Sequence, residues 1–307
     1  MENNKLDEIM NQLEEGVSNL FTSDKYRQYL DTMSQFHNYS INNCILIAMQ
    51  KPDATQVAGY NVWKNKFNRQ VLKGEKGITI IAPSPYKTKR SVEIKDANGN
   101  PILDVLGKPI TEEKEVTIQA FKPCKVFDVS QTDGEPLPEI VSDLTNPVND
   151  YDRYLQAIKD VSPVPVRFDE IKSGAKGFYS HTNSEIVIQR GLPEEQTIKT
   201  MIHEVAHAKL GHGGKDDVLS RNTREVQAES VAYASCKALG LNTEDYSFGY
   251  IAGWSSGKDM KELKENLQII KDQTNQIVSG IKEKLSLSVV MQPAKIGIDG
   301  KGIKFKM

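Results

Sequence analysis

Apolar positions recur along the chain with two different periods. Leu6, Ile9, Met10, Leu13, Val17 and Leu20 follow helical spacing, and Tyr26, Tyr29, Leu30 and Met33 repeat it over Ser23–Phe36. A third helix is expected over Ser40–Gln50, where Ser40 suits the N-cap, Ile41, Cys44, Ile45 and Ala48 share a face, and Pro52 follows. The pattern then turns strand-like. Val71–Pro83 holds a Gly-bounded turn and an apolar run, and Val116–Val129 reads as a further strand. Between them, Lys95–Lys108 carries two turn signals and is expected to form an exposed hairpin or excursion.

Ser130–Pro147 is rich in Pro, Asp and Thr, lacks periodicity and reads as a linker. After it come a helix near Asp150–Lys159 and short strands near Val164–Phe168 and Glu185–Ile188. A helix opening at Pro193-Glu194-Glu195 has acids in its first turn and carries Ile198, Met201, Ile202, Val205 and Ala206 to about Gly211. Two more helices are expected, Arg224–Leu239 ended by Gly240, and a long amphipathic Ser256–Leu285. The expectation is an α+β protein of two domains, 1–129 and 150–285, with a linker over 130–149 and a tail over 286–307. No internal repeat is visible.

Composition narrows the class. With 307 residues, 38% hydrophobic and 26% charged, the chain reads as globular, and it has no apolar run of membrane-spanning length and no signal-peptide-like start. Three scattered cysteines without a CxxC pair argue against both a disulfide framework and thiolate-held zinc, so a reducing cytoplasm is expected. The net charge of −2 hides an asymmetry: residues 51–95 hold ten basic side chains against three acidic ones.

His203-Glu204-Val205-Ala206-His207 places two imidazoles at i and i+4 on one helical face, one turn apart, as a zinc site requires. Glu204 is rotated about 100° from His203, which suits a general base beside the ion and not a ligand. The third ligand is open. A metzincin-type histidine belongs at position 213, which is Gly, and His212 comes one residue early, so a cap or substrate-side role fits it better. Glu225 and Glu229 lie on the next helix, and Glu225 has close to the spacing at which a gluzincin glutamate completes the site. Glu229, on the same face, is either an acceptor for the far N–H of a ligating histidine or the alternative ligand. Tyr179, Tyr233 and Tyr250 are candidate donors to a developing oxyanion.

In the first part, Tyr60, Trp63 and Phe67 interleave with Lys64, Lys66, Arg69, Lys73 and Lys76. Aromatic faces that stack bases among phosphate-tracking cations suit single-stranded nucleic acid, although aromatics at helical spacing are more often core.

The two halves together resemble a known family. Tyr39-Ser40-x-x-Asn43, the segment around Trp63 and the Lys73-Gly-Glu-Lys-Gly77 turn resemble the N-terminal domain of ArdC-type antirestriction and LtrC-like proteins. MIHEVAHAKLGH, REVQAESVAYASCKALGL and SFGYIAGW resemble that family's C-terminal domain, which is related to ImmA/IrrE-type gluzincins. The resemblance implies a single-stranded-DNA-binding domain joined to a zinc metallopeptidase domain, protecting incoming mobile-element DNA from restriction. It also implies His203, His207 and Glu225 as ligands, zinc or another divalent ion such as manganese as cofactor, and DNA and an unidentified protein substrate as partners. Two rivals stay open: a metal-stabilised DNA-binding protein without turnover, and a regulatory peptidase that cleaves a repressor.

Overall fold

The computed structural model describes residues 2–137 apart from 37, and 151–290 apart from 245 and 247. The expected linker beyond 137 and the expected tail from 291 lie outside them. The element order begins α1 (Glu2–Leu20), α2 (Ser23–Gln35), α3 (Ile41–Gln50), β1 (Val57–Gly59), α4 (Tyr60–Lys66), β2 (Arg69–Val71), β3 (Ile78–Pro83), β4 (Tyr86–Glu93), β5 (Thr111–Ile118), β6 (Phe121–Asp128) and β7 (Thr132–Gly134). It continues with α5 (Tyr151–Val161), β8 (Val166–Asp169), β9 (Gly177–Ser180), β10 (Glu185–Gln189), α6 (Glu194–Lys209), α7 (Arg221–Ala238), α8 (Ile251–Ser255) and α9 (Met260–Val290). These elements form two compact units, 1–20 with 39–137, and 21–38 with 138–307. The span 21–38, read from sequence as part of the first domain, packs in the second. No helix among the described residues is long and apolar enough to cross a membrane.

In the first unit α1 buries Ile9, Leu13, Val17 and Leu20, one stripe of its helical period, and packs on α3. α3, capped by Ser40, is buried over most of its girth and lies along β3 of the antiparallel sheet β1-β6-β3. Two amides on α3 satisfy the free edge of β3. Asn43 pairs with both backbone groups of Ile81 at 2.8 and 2.9 Å, and Gln50 pairs with both of Thr79 at 2.8 and 2.9 Å. The helix thus covers an edge that otherwise invites strand addition.

The single strand expected over Val116–Val129 is two. β5 pairs with β4 in a hairpin, and the chain breaks at Gln119-Ala120 before β6 joins the sheet. Beyond the hairpin, Ile94–Ile102 and Ile102–Ile110 are tandem copies of Ile-x-Asp-x-x-Gly-x-Pro-Ile, a repeat of eight residues that a search for long periods passes over. In each copy the Asp carboxylate accepts two backbone N–H groups, Asn98 and Asn100 or Leu106 and Lys108. Gly99 and Gly107 take φ of 86° and 78°, which closes each turn.

The expected linker begins as ordered structure. The Asp128 carboxylate accepts the N–H groups of Thr55, Gln56 and Ser130 and the Ser130 hydroxyl, all within 3.0 Å, and starts a short 3-10 turn that leads into β7. Burial pushes its pKa up, but these donors outweigh burial and hold it below the usual aspartate range. With the folded value depressed, its contribution is present above the unfolded pKa of ~3.9 and is lost as pH falls through the folded one. Asp128→Asn turns an acceptor into a donor facing donors, and is expected to cost roughly 2–3 kcal/mol in urea unfolding near neutral pH, the cost fading in acid. An unchanged midpoint at neutral pH contradicts this account.

In the second unit β8 pairs parallel with β10, and β9 pairs antiparallel on its other side, leaving β9 at the edge. β10 is buried through Ile186, Val187 and Ile188, and α6 packs on β9 and β10. α7 is rich in small buried residues (Ala228, Ala232, Ala234, Ser235) and packs against α6, α9 and α2. Tyr26 of α2 meets Ser230 at 2.8 Å, and Tyr233 of α7 donates to Asp31 at 2.7 Å. α9 starts at Met260 and not at Ser256, because Asp259 accepts the Glu262 N–H.

Candidate metal centre

α6 puts its apolar face, Ile198, Met201, Ile202, Val205 and Ala206, in the core. That fixes the helix rotation so that His203 and His207 emerge together toward α7. α7 is capped by Ser220, which accepts the Thr223 N–H, and begins three residues earlier than its sequence pattern suggests. Glu225 and Glu229 stand one turn apart on it, beside the two histidines.

Among the described residues, His203, His207 and Glu225 form a cluster able to hold a metal ion. The two Nε2 atoms are 3.1 Å apart, and Oε2 of Glu225 is 3.7 Å from each. A single point lies ~2.0 Å from all three atoms, the distance at which zinc takes imidazole nitrogen and carboxylate oxygen. Glu229 is not part of the triangle. Its Oε2 lies 3.1 Å from Nδ1 of His203, on the far side of the ring. A carboxylate there accepts the Nδ1–H and, once Nε2 gives up its proton to a cation, turns that lone pair toward the triangle.

Three acceptors that converge in this way attract a positive charge. Burial alone lowers the His203 pKa, but hydrogen bonds to Glu225 and Glu229 push it up to about 10, while the histidines hold Glu225 well below the usual carboxylate range. Glu204 is buried beside the triangle and accepts the backbone N–H of Tyr179 on β9; burial raises its pKa against the opposing pull of His203 and His207.

After α6, Gly211 and Gly213 adopt φ of 68° and 77° and fold the chain back. His212 between them is 4% exposed, its Nδ1 lies 2.8 Å from Nδ1 of His207, and its Nε2 lies 2.9 Å from Oε1 of Gln227. Burial pushes its pKa down to about 4, so the ring is neutral. Sequence spacing disposed of His212 as a ligand and missed its place behind one; two glycines that flank a histidine just past the motif are the signal for it.

Two clefts meet at this centre. One of about 340 Å³ includes Lys176, Gln196, Lys199 and Thr200, and one of about 520 Å³ includes Tyr179, Arg221 and Arg224; both share Gly177, His203 and Glu204. Of the tyrosines considered as oxyanion donors, Tyr233 is committed to Asp31. Tyr250 lies near Glu225 and Glu229, and burial first, then these carboxylates, raise its pKa.

The residues read as DNA-binding separate in the first unit. Trp63 is 1% exposed and donates its indole N–H to Phe127, so neither ring face is free to stack a base. Phe67 leans on Trp63, and Lys66 lies over its ring. Arg69 spends its guanidinium on Thr132, Gly134 and Glu135, clasping β7 to β2. Tyr60, Lys64, Lys66, Lys73 and Lys76 are exposed, and Lys64 and Lys73 flank a groove of about 580 Å³. The basic excess over 51–95 is partly cancelled in space, because Lys87 and Lys89 face Glu115 and Glu113 of β5.

Residues 2–127 match the N-terminal domain of anti-restriction factor ArdC, and residues 160–239 match the IrrE N-terminal-like domain of the Peptidase_M78 family. The chain is 25% identical over 308 aligned positions to the uncharacterised protein pXO2-81 of Bacillus anthracis, covering 91% of this chain and 51% of that protein. It therefore spans about half the length of that curated relative. Two crystal structures of the antirestriction protein ArdC from plasmid R388 are also similar. The metal-free one has 21% identity over 82% of this chain and 86% of that one, with a TM-score of 0.46. The Mn(II)-bound one has 19% identity over 82% and 85%, with a TM-score of 0.44.

Proposed function

From its membership of the ArdC-type antirestriction family, with a Peptidase_M78-like second domain, we propose that this chain binds single-stranded DNA through its first unit and hydrolyses a peptide bond in its second. The observation that carries the second half is the triangle of lone pairs from His203, His207 and Glu225, with a carboxylate that is not a ligand buried beside it. A divalent cation held there, zinc by its donor set, supplies Lewis acidity that acidifies a water and polarises a carbonyl.

The chain's own residues do the rest. Glu229 holds His203 by Nδ1. Glu204, kept in place by Tyr179, takes the proton from the attacking water and passes it to the leaving amine. The two clefts share Gly177, His203 and Glu204, so a polypeptide crossing from one to the other passes the centre. Tyr179, which lines the larger cleft, and Tyr250, near Glu225 and Glu229, are the candidate donors to a developing oxyanion. The reading is tested by incubating the zinc- or manganese-loaded chain with a proteome-derived peptide library and sequencing new termini. Cleavage at a defined motif supports it; no new termini with either metal favours a metal-stabilised DNA-binding protein without turnover.

For the first half, the groove beside Lys64 and Lys73 and the exposed Tyr60 and Lys76 are the proposed contacts. The double charge reversal Lys64→Glu, Lys73→Glu is expected to weaken binding of a labelled oligonucleotide and to reduce the slope of log K against log salt by about 0.7 for each phosphate that is no longer neutralised. Arg69→Glu is expected to disturb folding first, because it releases β7. An unchanged slope in the double variant removes this groove from the DNA path.

A further inference from the structure

His207 has two ring nitrogens, and only one tautomer offers the Nε2 lone pair that a ligand needs. The polarity of its partners can be traced from a fixed end. The Glu262 carbonyl oxygen can only accept, and Asn266 Nδ2 donates to it at 2.8 Å, which orients that amide. Asn266 Oδ1 therefore accepts from Gln227 Nε2 at 2.7 Å, and Gln227 Oε1 is left to accept from His212 Nε2 at 2.9 Å. His212 is buried, and its ring nitrogens meet an imidazole and an amide oxygen, not a carboxylate, so it stays neutral; with its proton on Nε2 it turns a lone pair on Nδ1 toward Nδ1 of His207, 2.8 Å away. His207 must then carry its proton on Nδ1, and Nε2 is free.

We infer that His212 is a positioning residue: with Gln227 and Asn266 it locks His207 in the Nδ1–H tautomer, so that the lone pair is preset toward the cation site. The inference rests on the metal-centre reading but concerns a tautomer that exists without metal. His212, Gln227 and Asn266 are 4%, 1% and 6% exposed, so water does not compete along the chain. A neutral imidazole also suits the position better than the carboxylate that often backs a metal-bound histidine. Glu204, Glu225 and Glu229 already crowd the centre, and a fourth negative charge there is repelled. Gly211 and Gly213, both left-handed, place the ring where it is needed.

The chain has only five histidines, so imidazole nitrogen signals from ¹⁵N-histidine-labelled, metal-free protein can be assigned by single substitutions. The expected spectrum shows His207 protonated on Nδ1 and bare on Nε2, with His212 protonated on Nε2. Gln227→Leu removes the acceptor and is expected to mix the His207 tautomers and weaken zinc binding about 10–100-fold. A wild-type His207 protonated on Nε2 overturns the inference, as does Gln227→Leu with unchanged tautomer and zinc affinity. A chain that shows the predicted tautomers yet takes up no zinc upholds the relay and refutes the metal-centre reading instead.

Discussion

Glu204→Gln is expected to leave the fold and the metal content in place while lowering peptide hydrolysis by ~10²–10⁴-fold. The side chain is 8% exposed and lies outside the ligand triangle, so its replacement removes no metal donor. Glutamine has the same volume and still accepts the Tyr179 N–H, which leaves packing and β9 undisturbed. What it cannot do is accept a proton. Burial raises the Glu204 pKa, which makes the carboxylate a better proton acceptor than a solvated glutamate at the cost of a narrower acid range. Metal content, circular dichroism and the cleavage rate of a peptide selected from the library check the three parts. A variant that keeps its rate places the base elsewhere.

What was legible in sequence was what local periodicity and spacing fix. The i and i+4 histidines, the apolar face beneath them and a following helix with two candidate carboxylates follow from helical geometry alone. The choice between those carboxylates does not, because it depends on how α7 is rotated against α6. That rotation is set by packing among Val226, Ala228, Val231 and their neighbours in space. α2 meets a similar limit: its stripe of Tyr26, Tyr29, Leu30 and Met33 shows that it packs, but not against what. Its partners on α7 are some 200 residues away in sequence.

The same limit governs the basic, aromatic segment. Composition cannot distinguish a Trp that stacks a base from one that fills a core, nor an arginine that meets phosphate from one that clasps a strand. Trp63 and Arg69 are the core and strand cases, while Lys64 and Lys73, of the same composition, line an open groove. β5 changes the electrostatics further, because acids that are distant in sequence lie against Lys87 and Lys89. The DNA-binding proposal therefore rests on fewer residues than the raw charge count suggests, and its salt slope should be correspondingly shallow.

Glu225→Gln is expected to weaken zinc binding by well more than the ~10–100-fold expected of Glu229→Gln. Oε2 of Glu225 faces both Nε2 atoms, whereas Glu229 touches only the Nδ1 side of His203. The reverse order of effects puts the third ligand one turn later on α7 and requires the His203 ring to turn over. The proton that zinc displaces gives an independent check. In metal-free protein His203 keeps its proton up to about 10, against an ordinary value of ~6.5. A raised folded pKa means that the linked stability is complete below ~6.5 and drains as pH climbs toward about 10. Zinc competes with that proton, so its affinity rises over the same window. The melting temperature of the metal-free chain should fall from neutral to alkaline pH while the increment added by a fixed zinc concentration grows. Glu225→Gln removes one of the bonds that stabilise the proton and should flatten both trends together; a trend that survives in the variant means that the proton is held elsewhere than in this triangle.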